Sequence, residues 1–253
     1  MRILIMGAGL AGVTAAFELL EDGHDVTVVD RQPGPARETS FANAGLVAPG
    51  HAFAWGSPRV PKILLASLFK KGQPLRYRLR LDPAMWRWSL KFLRECTAEK
   101  ARINTQRKHR LCRYAQLALQ DVVARTGVAY DGERKGLLYL YREASSFERG
   151  VENMRILMDA GQDLEIIDRD RAAEIDPALG PTKERIAGGV YGSTDESGDA
   201  HKFTSALADH CAARGARFRY DTTITGIATE GDRIDEVQTE NGAIKADLYI
   251  MAL

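Results

Sequence analysis

Cysteine is scarce in this 253-residue chain, and the three present, Cys96, Cys112 and Cys211, are far apart and odd in number. That argues against a disulfide framework and for a reducing compartment. There is no CxxC pair and no Cys/His cluster, so no metal site is expected. The histidines (His24, His51, His109, His201 and His210) are scattered, as surface and core histidines are. Long apolar runs are missing as well: no segment reaches the roughly 18–20 apolar residues that span a bilayer. The apolar start, Met1 to Gly12, is broken by Gly7, Gly9 and Gly12, which a strand–turn–helix explains and a secretory signal does not. Charge of one sign is not in excess either, since 35 basic residues face 34 acidic ones. No internal repeat or low-complexity tract is present. What remains is ordinary globular composition, 45% hydrophobic and 27% charged, enough for one large domain or two modest ones.

The periodicity predicts a buried parallel strand over Arg2–Met6 and a helix over Ala11–Asp22 with Val13, Ala16, Phe17 and Leu20 on one face. Gly23 closes that helix, and a second strand over Val26–Val29 ends at Asp30. This is a complete βαβ-type unit in about thirty residues. A loop rich in Gly, Pro, Ser, Thr and Asn follows over 32–51. Helices are expected over Pro58–Lys71, Pro83–Glu95 and Thr97–Arg125, and a strand over Gly136–Arg142. Ser145 and Glu148 have capping-box spacing before a helix running to about Asp159. A strand over Leu164–Ile167 and a short helix ending at Asp176 come next, then a Gly-rich connection over Gly188–Asp199 and a helix over Ala200–Arg214. Strands close the chain over Arg217–Tyr220, Thr223–Ala228, Arg233–Thr239 and Ala243–Leu253, the last pair joined by a hairpin turn at Glu240-Asn241-Gly242. The apolar strand Leu248–Leu253 has no stop signal, and further covering chain is expected after it.

Gly7-x-Gly9-x-x-Gly12 stands between a predicted strand and a predicted helix, the context in which this spacing binds a dinucleotide. The first glycine makes the tight turn, the second admits a pyrophosphate to the backbone, and the third lets helix and strand approach. The phosphates meet free N–H groups at the positive end of the helix dipole. Asp30 is placed to accept hydrogen bonds from both ribose hydroxyls of an adenosine and would repel a 2′-phosphate. An NAD domain would continue with another α–β step; this chain enters a polar loop and a long helical stretch, so FAD is the expected cofactor. The loop Glu38-Thr-Ser-Phe-Ala-Asn-Ala-Gly45 offers small residues and the polar groups of Thr39, Ser40 and Asn43. Read on its own it is either a ligand-facing loop or a solvated turn.

The segments GAGLAGVTAAFELLEDGHDVTVVDR, ETSFANAGLVAPG, GLLYLYR, STDESGDAHKFT and KADLYIMAL, taken in order, resemble the bacterial D-amino acid dehydrogenases of the small-subunit type, within the D-amino acid oxidase and glycine oxidase superfamily. The resemblance runs from residue 1 to residue 253, and family chains continue past Leu253, so an N-terminal fragment is expected. It implies an α/β fold in which an FAD-binding Rossmann-like domain of the glutathione-reductase type is interrupted by an α+β substrate domain. The expected division is 1–50 and 186–253 for FAD and 51–185 for substrate. It places Gly7, Ala8, Gly9 and Gly12 on the pyrophosphate, Asp30 on the ribose and Arg31 beside the adenosine. Thr39, Ser40, Asn43, Ala44 and Gly45 fall along the flavin half, and the Ile224 backbone at the adenine. The implied reaction passes the Cα hydrogen of a D-amino acid, such as D-alanine, as hydride to flavin N5, and the imino acid hydrolyses to a 2-oxo acid and ammonia. Electrons pass to a quinone or other respiratory-chain acceptor. No side-chain acid or base is obligatory, so no catalytic residue is named. Tyr139, Tyr141 and His51 are pocket candidates or packing residues. The alternatives are an oxygen-using amine oxidase of the glycine or sarcosine oxidase type, and an inactive flavin-binding fragment.

Residues 55–94 depart from the neutral average: ten basic residues face one acid, Asp82, with Trp55, Phe69, Tyr77, Trp86, Trp88 and Phe92 interleaved. Such a segment suits an anionic membrane surface or forms a solvated helical flap; a nucleic-acid partner is not expected. The expected location is cytoplasmic, with peripheral attachment to the inner face of the plasma membrane.

Overall fold

The computed structural model describes residues 1–69 and 80–253. The elements in chain order are β1 (Arg2–Met6), α1 (Leu10–Glu21), β2 (Asp25–Val29), β3 (Leu46–Val47), α2 (Val60–Phe69), α3 (Pro83–Glu95), α4 (Ala98–Thr126), β4 (Leu137–Tyr141), α5 (Ala144–Met158), β5 (Glu165–Ile167) and α6 (Arg169–Ile175). After these come β6 (Gly188–Gly192), β7 (Glu196–Ser197), α7 (Ala200–Ala213), β8 (Arg217–Arg219), β9 (Ile224–Glu230), β10 (Arg233–Thr239), β11 (Gly242–Ile244) and β12 (Leu248–Met251). The chain divides into two units. One contains Met1–Leu46, Leu119–Glu133 and Ser197–Leu253; the other contains Val47–Ala118 and Arg134–Glu196. Lys70, Lys71, Arg76, Tyr77 and Arg78 of the basic segment, and the end of the helix expected over Pro58–Lys71, lie outside the described residues.

In the first unit a sheet of order β12-β1-β2-β8 is parallel throughout. β1 is apolar at every position after Arg2 because both of its faces are covered. Ile3 and Ile5 join Val26 and Val28 against Val13, Ala16 and Phe17 of α1 and Phe203, Leu207 and Cys211 of α7. Leu4, Met6 and Val29 face the other way, onto Val237 of the antiparallel sheet β11-β10-β9. Burying each such side chain contributes about 1.5–3 kcal/mol. Helix α1 stops where expected: Gly23 adopts φ +78°, its N–H donates to the Leu20 carbonyl, and the His24 N–H reaches back to Leu19. The last turns of α4 join this unit, where Arg125 pairs with Glu18 and Glu21 and lies over the Phe17 ring. The division expected from sequence puts these turns in the substrate domain.

In the second unit the antiparallel sheet has order β4-β6-β5. Its middle strand, β6, is the segment expected to be a Gly-rich connection. Glycine lacks the apolar signature of a strand, but here it makes room: a Cβ on Gly188 would sit 2.5 Å from the Phe147 ring. Two further expectations are corrected. Ala243–Leu253 is two strands, β11 returning antiparallel on β10 and β12 running parallel beside β1, because Lys245–Asp247 turns the chain between sheets. Ser145 does not cap α5; the N-cap is Glu143, with no side-chain cap bond. Pro177–Arg185 is a 3₁₀ segment started by the Asp176 carboxylate accepting the Ala178 N–H.

Candidate functional site

The carboxyl ends of β1 and β2 open onto a cavity of about 510 Å³ within the first unit. The glycine turn and the start of α1 form its floor, and Val29–Gln32 and Arg37–Ser40 form two walls. Thr222–Ile224 and Ala252–Leu253 complete it. The three glycines differ in what they do. Gly7 has φ +110°, and a Cβ there would come within 2.5 Å of the Ala252 carbonyl oxygen. A Cβ on Gly12 would sit 1.9 Å from the Gly7 carbonyl oxygen. Both are therefore demanded by the protein's own backbone. Gly9 has an ordinary extended backbone, φ −76° and ψ −177°. A Cβ there would meet nothing closer than Ser40 Oγ at 3.4 Å. Its missing side chain leaves space in the cavity at the first turn of α1.

Polar groups converge on this turn. Asp30 Oδ2 accepts the Ala8 N–H at 2.7 Å and Oδ1 accepts the Gln32 N–H at 2.8 Å. Each oxygen keeps a second lone pair, so the carboxylate can still accept from a diol. Ser40 Oγ accepts the Leu10 N–H at 3.0 Å, the first orphan donor of α1. Ala36 is buried in the left-handed region, φ +55°, and its N–H donates to the Ala8 carbonyl at 3.0 Å. Arg31 does not point at a free anion. Its Nε and Nη2 donate to Glu38 Oε1 at 2.8 and 2.5 Å, and Gln32 Nε2 donates to the same oxygen at 2.9 Å. The bonds from Gln32 and Arg31 hold the Glu38 carboxyl below its ordinary pKa, and the partnership raises that of Arg31.

The candidate residues thus fall into two groups. Gly7, Gly9, Asp30, Arg31, Thr39, Ser40 and Ile224 line the first cavity. Ala8 is buried behind it, and Gly12 packs beneath Gly7. Asn43, Ala44 and Gly45 line a second cavity of about 440 Å³ in the same unit, with Phe41, Asp131 and Ser197–Ala200. There Asn43 Oδ1 accepts the Gly45 N–H at 2.8 Å. Gly45 has φ +61°, and its Cβ would meet the Gly198 carbonyl oxygen at 2.3 Å, so backbone packing already demands this glycine. The segment Thr39–Phe41 passes from one cavity to the other.

The pocket candidates of the second unit are tied into a buried polar cluster. Asp195, fully buried, accepts the Tyr139 hydroxyl at 2.7 Å and the Gly50 N–H at 2.9 Å. Gly50 and Gly192 are the space it occupies, since a Cβ on either would lie 2.4 or 2.5 Å from Oδ2. The His51 ring stacks on Tyr139 at 5.5 Å. Burial first, and then the bond to Asp195, raise the Tyr139 pKa far above the ordinary phenol value. Tyr141 is spent on packing, with its ring over Gly150 and beside Phe147. Sequence reasoning missed Asp195, Glu38, Gln32, Thr222 and Thr223. Glu38 and Asp195 fell inside segments quoted for the family resemblance and Thr223 at the start of a predicted strand, but no spacing or motif marked any of the five individually.

A family model described as FAD dependent oxidoreductase (DAO) matches residues 2–253. The chain belongs to this family. D-amino acid dehydrogenase 2 of Mesorhizobium japonicum is 42% identical over 254 residues, all of this chain and 61% of the relative. The D-amino acid dehydrogenase of Bradyrhizobium diazoefficiens is 43% identical over 253 residues, all of this chain and 60% of the relative. The chain thus spans about 60% of the length of the curated relatives it matches. Among solved structures, glycine oxidase from Geobacillus kaustophilus shares the fold with a TM-score of 0.67 at 20% identity, over 99% of this chain and 55% of that one. Glycine oxidase from Bacillus cereus gives 0.65 at 23% identity, over 99% and 54%. The expected α/β flavoprotein fold and FAD as cofactor agree with these matches.

Proposed function

We propose that this protein is a flavin-dependent D-amino acid dehydrogenase whose first unit holds FAD and whose second belongs to the substrate domain. The observation that carries the cofactor half is Gly9, a glycine that no packing demands, opening a cavity at a helix N-terminus beside a carboxylate. The residues fit the group. The helix start beside Gly9 would take the pyrophosphate, with the Ser40 hydroxyl as a further donor. Asp30 would take the ribose hydroxyls, and the Thr222–Ile224 backbone the adenine edge. Asn43, Ala44 and Gly45 would lie along the flavin half. When bound, FAD supplies the redox chemistry, accepting the hydride from the substrate Cα. The chain's own part is to align the reactants and exclude water, and no side-chain acid or base is assigned.

The substrate class rests on the relatives named above, each a D-amino acid dehydrogenase by name. The products are a 2-oxo acid and ammonia, with electrons passed to a quinone-type acceptor. Purified protein is expected to reduce a quinone analogue with D-alanine, to ignore L-alanine, and to give little hydrogen peroxide in air. Turnover that requires oxygen, or equal rates with both enantiomers, would overturn the assignment.

The acceptor implies a lipid surface, and we infer that residues 55–94 meet it on the cytoplasmic face. No residue of α3 is buried, Trp86, Trp88 and Leu90 are exposed, and Trp88 stacks on Phe92 at 5.1 Å. Arg87, Lys91 and Arg94 lie on the same helix. Among the described residues no helix is long and apolar enough to cross a membrane. Flotation with anionic vesicles, reversed by salt, is the expected result. Equal recovery with neutral vesicles, or no loss after Arg87→Gln, Lys91→Gln and Arg94→Gln together, would refute it.

A further inference from the structure

We propose that Glu38 is a positioning residue for the adenosine half of the FAD site, acting as the tie that closes one wall of the cavity. The inference rests on assigning that cavity to FAD. Two walls meet here that have no regular structure between them: the end of β2 and the segment Arg37–Ser40. Glu38 joins them through a single oxygen. Oε1 gathers Arg31 Nε, Arg31 Nη2 and Gln32 Nε2, all within 2.9 Å.

The consequence lies two residues further on. Ser40 has to bring its hydroxyl to the first N–H of α1, at 3.0 Å from Leu10 N. The segment that delivers it is held at one side by Ala36, in the left-handed region and bonded to the Ala8 carbonyl. It is held at the other by Glu38. A non-glycine residue at positive φ persists only where its surroundings over-determine it, so the 34–40 turn resists springing open only while both holds are made. Glu38 also disposes of Arg31. A guanidinium beside a phosphate-binding turn would compete for anions. Committed to Glu38, it presents a neutralised edge to the adenosine, while Asp30 keeps its acceptors for the ribose.

The test uses apoprotein, with ADP and FAD as probes, followed by calorimetric titration and by quenching of flavin fluorescence. Glu38→Ala should weaken ADP and FAD by a similar factor, roughly five- to tenfold, with little change in apoprotein Tm because the pair is exposed. Glu38→Gln keeps a carbonyl oxygen for Gln32 and Arg31 and should recover most of the affinity. If the parent protein does not bind ADP, the assignment of the cavity itself fails. Parent-like ADP affinity in Glu38→Ala overturns the role of Glu38 alone. A Tm drop of many degrees that Glu38→Gln does not rescue would make Glu38 merely structural and overturn it too.

Discussion

Replacing Gly9 and Gly12 in turn by alanine separates ligand space from packing space in the same turn. At Gly12 the new methyl would lie 1.9 Å from the Gly7 carbonyl oxygen and 3.0 Å from its carbon, both backbone atoms of a turn that is itself pinned by the Gly7 N–H to Val29. Nothing there can swing aside, so the turn and α1 must part. Overpacking of this kind costs about 1–3 kcal/mol, and for a chain of this size each kcal/mol lowers Tm by roughly 2–4 °C. At Gly9 the backbone is already extended, so alanine adds no strain. Losing a glycine N-cap costs up to about 1 kcal/mol, while the stiffer unfolded chain returns about 0.4–1 kcal/mol, and Tm should hardly move. The methyl would, however, stand where a phosphate oxygen has to approach the first N–H groups of α1 at hydrogen-bond distance. Losing one charge-assisted hydrogen bond is worth about 1.5–3 kcal/mol, so FAD affinity should fall roughly 10- to 100-fold. Differential scanning of the apoproteins and flavin-fluorescence titration read the two effects independently. FAD affinity within twofold of the parent in Gly9→Ala, at unchanged Tm, would refute the pyrophosphate assignment; an unchanged Tm in Gly12→Ala would refute the packing argument.

Asp30→Asn turns an amide NH₂ toward one of the two backbone N–H groups now held by the carboxylate, at Ala8 or Gln32. Leaving that donor without an acceptor should cost about 1–3 kcal/mol and weaken FAD as well, read by thermal melting and titration together. Tyr139→Phe removes one of the two donors on the buried Asp195 carboxylate, and chemical denaturation should show a loss of about 1–3 kcal/mol with no change in FAD affinity. At high pH, burial and then the nearby Asp209 and Asp30 push Tyr220 up to about 12. Its neutral form is thus favoured in the folded protein. The stability it contributes is complete below the ordinary phenol pKa and is lost as pH rises toward 12. Ultraviolet phenolate titration of folded against denatured protein should show Tyr220 and Tyr139 ionising late, and simultaneous ionisation of all tyrosines would contradict their environments.

The parts of the fold that could be read were those in which one residue type answers one constraint. β1, and β2 at Val26, Val28 and Val29, are apolar on both faces because helices cover one side and the β9–β11 sheet the other. Gly23 stands where the end of α1 needs positive φ. β6 was illegible for the opposite reason. Gly188, Gly189 and Gly192 sit mid-sheet, where composition alone says turn, and their purpose is set by side chains no local pattern announces: Phe147 and Leu140 from distant parts of the chain, and Asp195 folded back from the turn just after β6. The same holds for the split of Ala243–Leu253: β11 and β12 are both apolar, and only their partners, one antiparallel and one parallel, tell them apart. The last turns of α4 carry no mark of the unit they join until Arg125 is seen over Phe17.

At the candidate site the motif's spacing already assigned the three glycines different tasks, and their surroundings divide them along the same line. Gly7 and Gly12 satisfy the chain itself, and any protein with this turn would need them whether or not it bound a dinucleotide. Only Gly9 is left without a protein reason, and it is the one that lies open at the cavity. Gly45 falls on the backbone side of that division: its positive φ and the Gly198 carbonyl demand a glycine there whether or not a ligand binds. If a ligand does use that second cavity, it must be through Asn43, Ala44 and the backbone around them. Glu38 is the converse case, a residue with no motif of its own that gathers Arg31 and Gln32 beside the motif. Spacing reports what the backbone requires, whereas ligand recognition lies in groups left over once packing is accounted for, and those become visible only when each neighbour is known.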